Sequence, residues 1–591
     1  MSVNWNLDAL YKSCEDESFL ADLKQLPNVI KEFSNTINTL VESSGNDKDK
    51  LETYVEKLSA LYLAANKIGA FLSLSLSVNS TDELAQKYNV QFSTFVSNMS
   101  EPNTKMELYI AKIADLDAII ASSELLTQHK FFFDEIIRHN THLLSANEES
   151  LLSKLQNTGS TAWRQYKDKL ISTHKVEINI DGEDKVLPLT EVLNLADSSS
   201  ATVRKAAYEA EIKSYEKIEQ GVAAALNAIK GEALTISDAR SYDSILQMTL
   251  EESTMKKETL DAMLGAMVDA MPKFRSYLRR KGEVLGHTNG LPWYDLFAPI
   301  IKEEMGFDYE KGKAFVVKNF RTFSDNLADY AQFAMDNEWI DVYPKEGKVG
   351  GAFCAGLKCI KQSRILLNYG DTLGDVITMA HELGHGFHNY CLTQETVLNS
   401  GYAMPIAETA STICETIVKK AALDTASDNE KIAIIEAELK DCTQVIVDIY
   451  SRYLFETAFI NARAEGYVSV DQIKEMMLNA QREAYGDGLD NSVLHPYMWT
   501  WKSHYYGVSR NFYNFPYAFG QLFAKGLYAK FLEDKTGFPK RYEALLAVTG
   551  KNSIEDVTAS VGIDVTKKDF WEASVKMIVA DIDEFLRLTE K

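Results

Sequence analysis

Apolar residues spaced three and four apart, with charged residues between them, recur from Ser18 to about Ser172, as in KLETYVEKLSALYLAANKIGAFL. That spacing predicts successive amphipathic helices. The pattern changes at HKVEINIDGEDKVLPLTEV, where Val176, Ile178 and Ile180 alternate with polar residues, Asp181-Gly182 supplies a two-residue turn, and Val186, Leu187 and Leu189 follow. A β-hairpin is predicted there, and with it a domain boundary: a helical domain over 1–190 and a second, mostly helical domain over 191–591. The second opens with serine N-cap candidates in SSSATVRKAAYEAEIKSYEKI. Two strand patterns interrupt it, GGAFCAGLKCI from Gly350 to Ile360 and SRILLNYG from Ser363 to Gly370, and predict a small sheet. No repeat or linker-like tract is evident. The expected class is mainly α with a small β-sheet.

Composition narrows the setting. With 46% hydrophobic and 25% charged residues in 591, the chain reads as folded and globular. Lys+Arg 62 against Asp+Glu 85 gives −23, a charge that repels phosphate backbones and argues against nucleic acid as a partner. The N-terminus lacks the basic, apolar and small-residue sequence of a secretory leader. The most apolar stretch, Leu61 to Val78, is interrupted by Lys67 and rich in serine, which suits a buried helix better than a bilayer. Six cysteines without paired short spacings read as reduced thiols, so the expected compartment is the cytoplasm.

The chemistry lies on one predicted helix. After an N-cap at Asp371-Thr372, a stripe of Leu373, Val376, Ile377, Ala380, Leu383 and Phe387 carries His381-Glu382-Leu383-Gly384-His385. Histidines at i and i+4 stand about 6 Å apart along the axis, so both imidazoles can reach one zinc ion. Glu382, beside the first, is placed to take a proton from water rather than to bind the metal. With 10 histidines in the chain, chance would give on the order of 0.01 such matches, so coincidence is a minor explanation. His388 shares the face but lies about 10.5 Å from His381 along the axis, too far to bind the same ion, and reads as a structural or outer residue. A metzincin would need glycine and histidine where His388 and Cys391 stand. The alternative third ligand is a carboxylate from a later helix, and GYAMPIAETASTICETIVKKAA offers Glu408, with Glu415 seven residues on as an acceptor for a histidine ring N–H.

HELGH followed by IAETAS and that second glutamate, together with GKVGGAFCAGL, SRILLNYGDTLGDVITMAHELGH and HYYGVSRNFYNFPYAFG, resembles the oligoendopeptidase F branch of the thimet-oligopeptidase-like zinc metallopeptidases. The likeness runs from about Ser198 onward and more weakly before it. It implies a helical two-part shell around a deep substrate channel, the N-terminal domain a candidate lid, one zinc per chain, and cleavage of short unstructured peptides. It also implies a histidine and tyrosines near the scissile carbonyl, and His504, Tyr513 and Tyr517 fall on that pattern. Phenol and imidazole N–H groups suit an oxyanion, which needs donors besides a metal.

Gly350 and Ala352 on the first strand, Tyr369 on the second, and Arg510 are the substrate-binding candidates; the edge of SRILLNYG could pair with an extended peptide. The expected function is a zinc oligoendopeptidase. A zinc carboxypeptidase or dipeptidyl carboxypeptidase remains open, with Arg510 as a possible holder of the substrate's carboxylate. A non-catalytic peptide-binding protein is the more distant alternative, because structural zinc sites are closed by four ligands.

Overall fold

The computed structural model describes residues 3–301 and 305–590. Among the described residues, 27 α-helices stand against five short strands, so the mainly α class holds. Contacts divide the chain into two compact units, one of Met1–His142, Met305–Ala421 and Lys530–Gly562, the other of Leu143–Glu304, Ala422–Ala529 and Ile563–Lys591. Neither unit is continuous, and the expected cut at 190 coincides with the limits of neither. The reason is visible in the core of the first unit, where Leu357 and Leu366, far along the chain, pack with the N-terminal helices.

That core is built by the predicted periodicity. Phe19, Leu23, Leu26, Ile30 and Phe33 line one face of the helix Glu17–Glu42, and Leu51, Leu58, Leu61, Ile68 and Leu72 line the helix Asp47–Val78. Asp16 and Asn46 cap the two helices by accepting the Ser18 and Lys48 backbone N–H groups. Asp47–Val78 is also long and apolar enough to cross a membrane by length and composition. Here its apolar face contributes to the core.

Five strands form two sheets. β1 (Lys175–Ile180) and β2 (Glu183–Pro188) make the hairpin in the second unit, with Asp181 and Gly182 both at positive φ, 53° and 87°, as a tight primed turn requires. Val176 and Ile178 point into a core with Tyr215, Leu226, Phe455 and Trp499, whereas Val186 faces solvent. The same unit buries the ion pairs Arg204–Asp295, Lys230–Glu456, Lys281–Glu436 and Lys525–Glu438, at 2.6 to 2.7 Å.

In the first unit β3 (Ile340–Asp341), β4 (Phe353–Leu357) and β5 (Gln362–Leu366) form a sheet in the order β3-β5-β4. β5 is therefore central, paired parallel to β3 and antiparallel to β4. This corrects the expectation that the SRILLNYG strand offers an edge to a peptide: both its sides are occupied, and β4 is the strand at the sheet's margin. The six cysteines are free thiols.

Candidate metal centre

The helix Leu373–Cys391 starts where the sequence says it should. Thr372 Oγ1 accepts the Asp375 N–H at 3.2 Å while Asp375 Oδ2 accepts the Thr372 N–H at 3.0 Å, closing a reciprocal cap. Leu373, Val376, Met379, Ala380, Leu383 and Phe387 are buried, which fixes the rotation of the helix and turns His381 and His385 to the same side. Their Nε2 atoms stand 3.1 Å apart.

Glu408 completes the group, with Oε2 at 3.4 Å from His381 Nε2 and 3.5 Å from His385 Nε2. It does not lie within one continuous helix, as the sequence pattern implied. It sits at the junction between Met404–Ala407 and Thr409–Leu423, with φ −83° and ψ 1°. Gly384 allows this approach: a Cβ there would lie 2.6 Å from the Ala410 carbonyl oxygen and from Ser411 Cα. Ser411 Oγ donates to Glu408 Oε2 at 3.1 Å and steadies it.

Do these residues fit a metal? Four donors around zinc at about 2.0 to 2.1 Å, arranged as a tetrahedron, are separated from one another by about 3.3 Å. The three measured separations of 3.1, 3.4 and 3.5 Å match that edge. Two imidazoles and one carboxylate are three donors, which around a tetrahedral ion would leave a fourth position open. His381 Nδ1 donates to Glu415 Oε1 at 2.6 Å, and Lys419 Nζ donates to Glu415 Oε2 at 2.9 Å, so the ring's orientation and tautomer are set from behind.

The electrostatics follow. Burial opposes charge on His381, but hydrogen bonds to Glu408 and Glu415 outweigh it and push its pKa up to about 10, while burial's upward pull on Glu408 is overcome by the two histidines, which hold that carboxyl well below the usual range. A setting of carboxylates that favours a positive charge on His381 also favours a metal cation in the proton's place. Glu382 is 5% exposed, its Oε2 is buried without a hydrogen-bond partner among the described residues, and burial raises its pKa against the pull of His381 and His385.

A cavity of about 600 Å³ opens on this group, with Ala352, Phe353, Cys354 and Gly356 of the β4 segment along one wall and Tyr402 on another. Of the other candidates, Ala352 lines it. Gly350 is exposed outside it, and Tyr369 is buried at 2% exposure with its hydroxyl donating to the Phe307 carbonyl at 3.1 Å, so Tyr369 is a core residue. The tyrosine follows the central strand into the core, which an alternating pattern alone could not reveal. His388 Nε2 donates to Thr549 Oγ1 at 2.8 Å and its ring stacks on Tyr402 at 4.1 Å, so it supports the cavity wall. Lys358 and Tyr402 went unsingled in the sequence. Lys358 sits at the tip of the β4–β5 hairpin, where a lone lysine in LKCIKQ gives no signal.

His504, Tyr513 and Tyr517 lie in the second unit and form a cluster of their own, with ring centroids 5.9 to 6.1 Å apart. The Arg510 guanidinium covers the Tyr513 ring at 5.5 Å and the residue is exposed. His504 Nδ1 is buried without a hydrogen-bond partner among the described residues, and burial, then Arg452 and Lys502, lower its pKa.

Comparison with known proteins converges on one family. Residues 194–577 match peptidase family M3 and residues 110–175 match oligopeptidase F. The group B oligopeptidase PepB of Streptococcus agalactiae is 23% identical over 99% of this chain and 97% of its own, and the oligopeptidase PepF of Bacillus subtilis 22% over 99% and 87%. The solved oligoendopeptidase-F of Enterococcus faecium has a TM-score of 0.69 at 19% identity, covering 97% of this chain and 99% of that one. A structure from Chlamydophila abortus reaches 0.88 at 19% identity, covering 100% and 99%.

Proposed function

This chain belongs to peptidase family M3, and from that premise we propose that it is a zinc-dependent oligoendopeptidase that cuts internal bonds of short unstructured peptides. The observation that carries the reading is the convergence of His381 Nε2, His385 Nε2 and Glu408 Oε2 at the separations one small cation demands, next to a buried, unpartnered Glu382. Zinc held by these three residues supplies a Lewis acid for the scissile carbonyl and acidifies a water at neutral pH.

The protein's own groups do the rest. Glu382, whose burial raises its proton affinity, takes the proton of the attacking water and returns it to the departing amine. Glu415 keeps the His381 ring in one tautomer, so its Nε2 lone pair faces the site. The margin of β4 offers backbone groups to an extended substrate, a mode that reads main chain and tolerates varied side chains. His504, Tyr513 and Tyr517 are assigned, through the family resemblance, to the donors that stabilise the oxyanion. The six free thiols support a reducing compartment, the cytoplasm, and the charge of −23 supports partners other than nucleic acid.

Removing the metal tests this reading. Dialysis against a chelator should abolish peptide cleavage, and one equivalent of zinc should restore it. Cleavage that persists at full rate in metal-free protein would contradict the assignment.

A further inference from the structure

Among the described residues, the Lys358 ammonium has no hydrogen-bond partner, and its Nζ is buried. Its pKa is pushed down to about 8 by burial, with no carboxylate contributing. An uncompensated buried charge costs several kcal/mol, and such a group persists where a ligand supplies the missing partner.

Its position suggests which ligand. Lys358 lines the cavity that holds His381, His385 and Glu408, and it also lines a second cavity of about 570 Å³ in the same unit. Gly356, Asn389 and Ser400 share both walls with it, so the two spaces adjoin. Beyond this partition the second cavity is bordered by Val55, Leu63, Leu125, Tyr330, Trp339 and Leu357, an apolar lining suited to a large aliphatic or aromatic side chain. A cation at the junction of a reaction cavity and an apolar pocket matches one feature of a peptide: the C-terminal residue, which carries a carboxylate and a side chain on the same carbon.

We propose that Lys358 binds the C-terminal carboxylate of the substrate and that the second cavity takes the side chain of that terminal residue. The proposal rests on the peptidase reading above and deepens it: the enzyme measures its substrates from a free, apolar C-terminus. A carboxylate side chain of an acidic residue has the same chemistry, and the test separates the two sources.

The test uses zinc-loaded enzyme and matched peptides: one ending in leucine with a free carboxylate, its carboxamide twin, a twin ending in glycine, and a twin with an internal glutamate in place of glutamine. The wild type should prefer the free acid over the amide by about tenfold in kcat/KM, as a lost charge-assisted hydrogen bond implies, mainly through KM. It should also prefer terminal leucine over glycine. In Lys358→Met, checked for folding by its melting curve, the acid-to-amide ratio should fall to about one, and Lys358→Arg should keep it above one. Equal cleavage of acid and amide by the wild type, or an unchanged ratio in folded Lys358→Met, overturns the proposal, and so does a preference that follows the internal glutamate instead of the terminus. If no peptide is cut at all, the peptidase reading fails; equilibrium binding of the acid and amide to wild type and Lys358→Met then still decides the role of Lys358.

Discussion

The metal group in the first unit and the aromatic cluster in the second are organised in opposite ways. His381, His385, Glu408 and Glu415 come from two segments close in sequence, each polar contact is answered, and the geometry is locked by the Thr372 cap and the close approach at Gly384. His504, Tyr513 and Tyr517 pack ring against ring with the Arg510 guanidinium over Tyr513, His504 Nδ1 has no hydrogen-bond partner among the described residues, Tyr517 is 36% exposed, and the adjoining Phe512 is held at φ 51°. Under the proposed function, a group whose polar atoms already converge would bind before substrate arrives, and a group with an unpartnered ring nitrogen beside a strained backbone would respond to what arrives.

The sharpest way to break that contrast is to remove the phenol hydroxyls. Tyr513→Phe or Tyr517→Phe, whichever bears the oxyanion contact, should lower kcat by about 10² to 10³. Zinc content, measured by atomic emission, should not change. If zinc fell as well, the two regions would not be independent and the division of labour would be wrong.

A smaller effect sharpens the first region's rigidity. His388 is fully buried, and burial, then the neighbouring His385 and Lys358, pushes its pKa down to about 3. Thr549 Oγ1, which donates to the Leu546 carbonyl, accepts from His388 Nε2, while Nδ1 is buried with no hydrogen-bond partner among the described residues to take a second ring proton, which favours the neutral ring. An unfolded histidine titrates near 6.5, so the unfolded chain takes up the proton first as pH falls, and stability present above that pH is lost progressively toward the folded value. Between pH 6.5 and 5.5 this costs about 1 kcal/mol. Urea unfolding of His388→Phe, which keeps an aromatic stack on Tyr402, should show a decline over that interval shallower by about that amount. Parallel curves would mean that His388 is not held neutral.

Much of this was legible in the residues because it is local. The capped helix, the i and i+4 histidines and Glu382 follow from spacing alone, and so does the Asp181-Gly182 hairpin. Glu408 was found by residue type, but its place at a helix junction depends on Gly384 meeting Ala410, a contact between segments that no periodicity encodes. Strand order was hidden for the same reason. β3 contributes only Ile340 and Asp341, too short to detect, yet its pairing makes β5 central and sends Tyr369 into the core. The interleaved units were hidden because Leu357 and Leu366 join helices more than two hundred residues earlier in the chain. Lys358 had no sequence signal, since its meaning lies in what it lacks.

The central claim is that Glu382 moves the proton at a metal held by His381, His385 and Glu408. Incubating a library of ten-residue peptides with zinc-loaded wild type and with Glu382→Gln, and identifying products by mass spectrometry alongside zinc content, tests it most directly. The account predicts internal cuts by the wild type, loss of at least about 10² in rate in the variant, and the same zinc content in both. Near-normal cleavage by Glu382→Gln would contradict it.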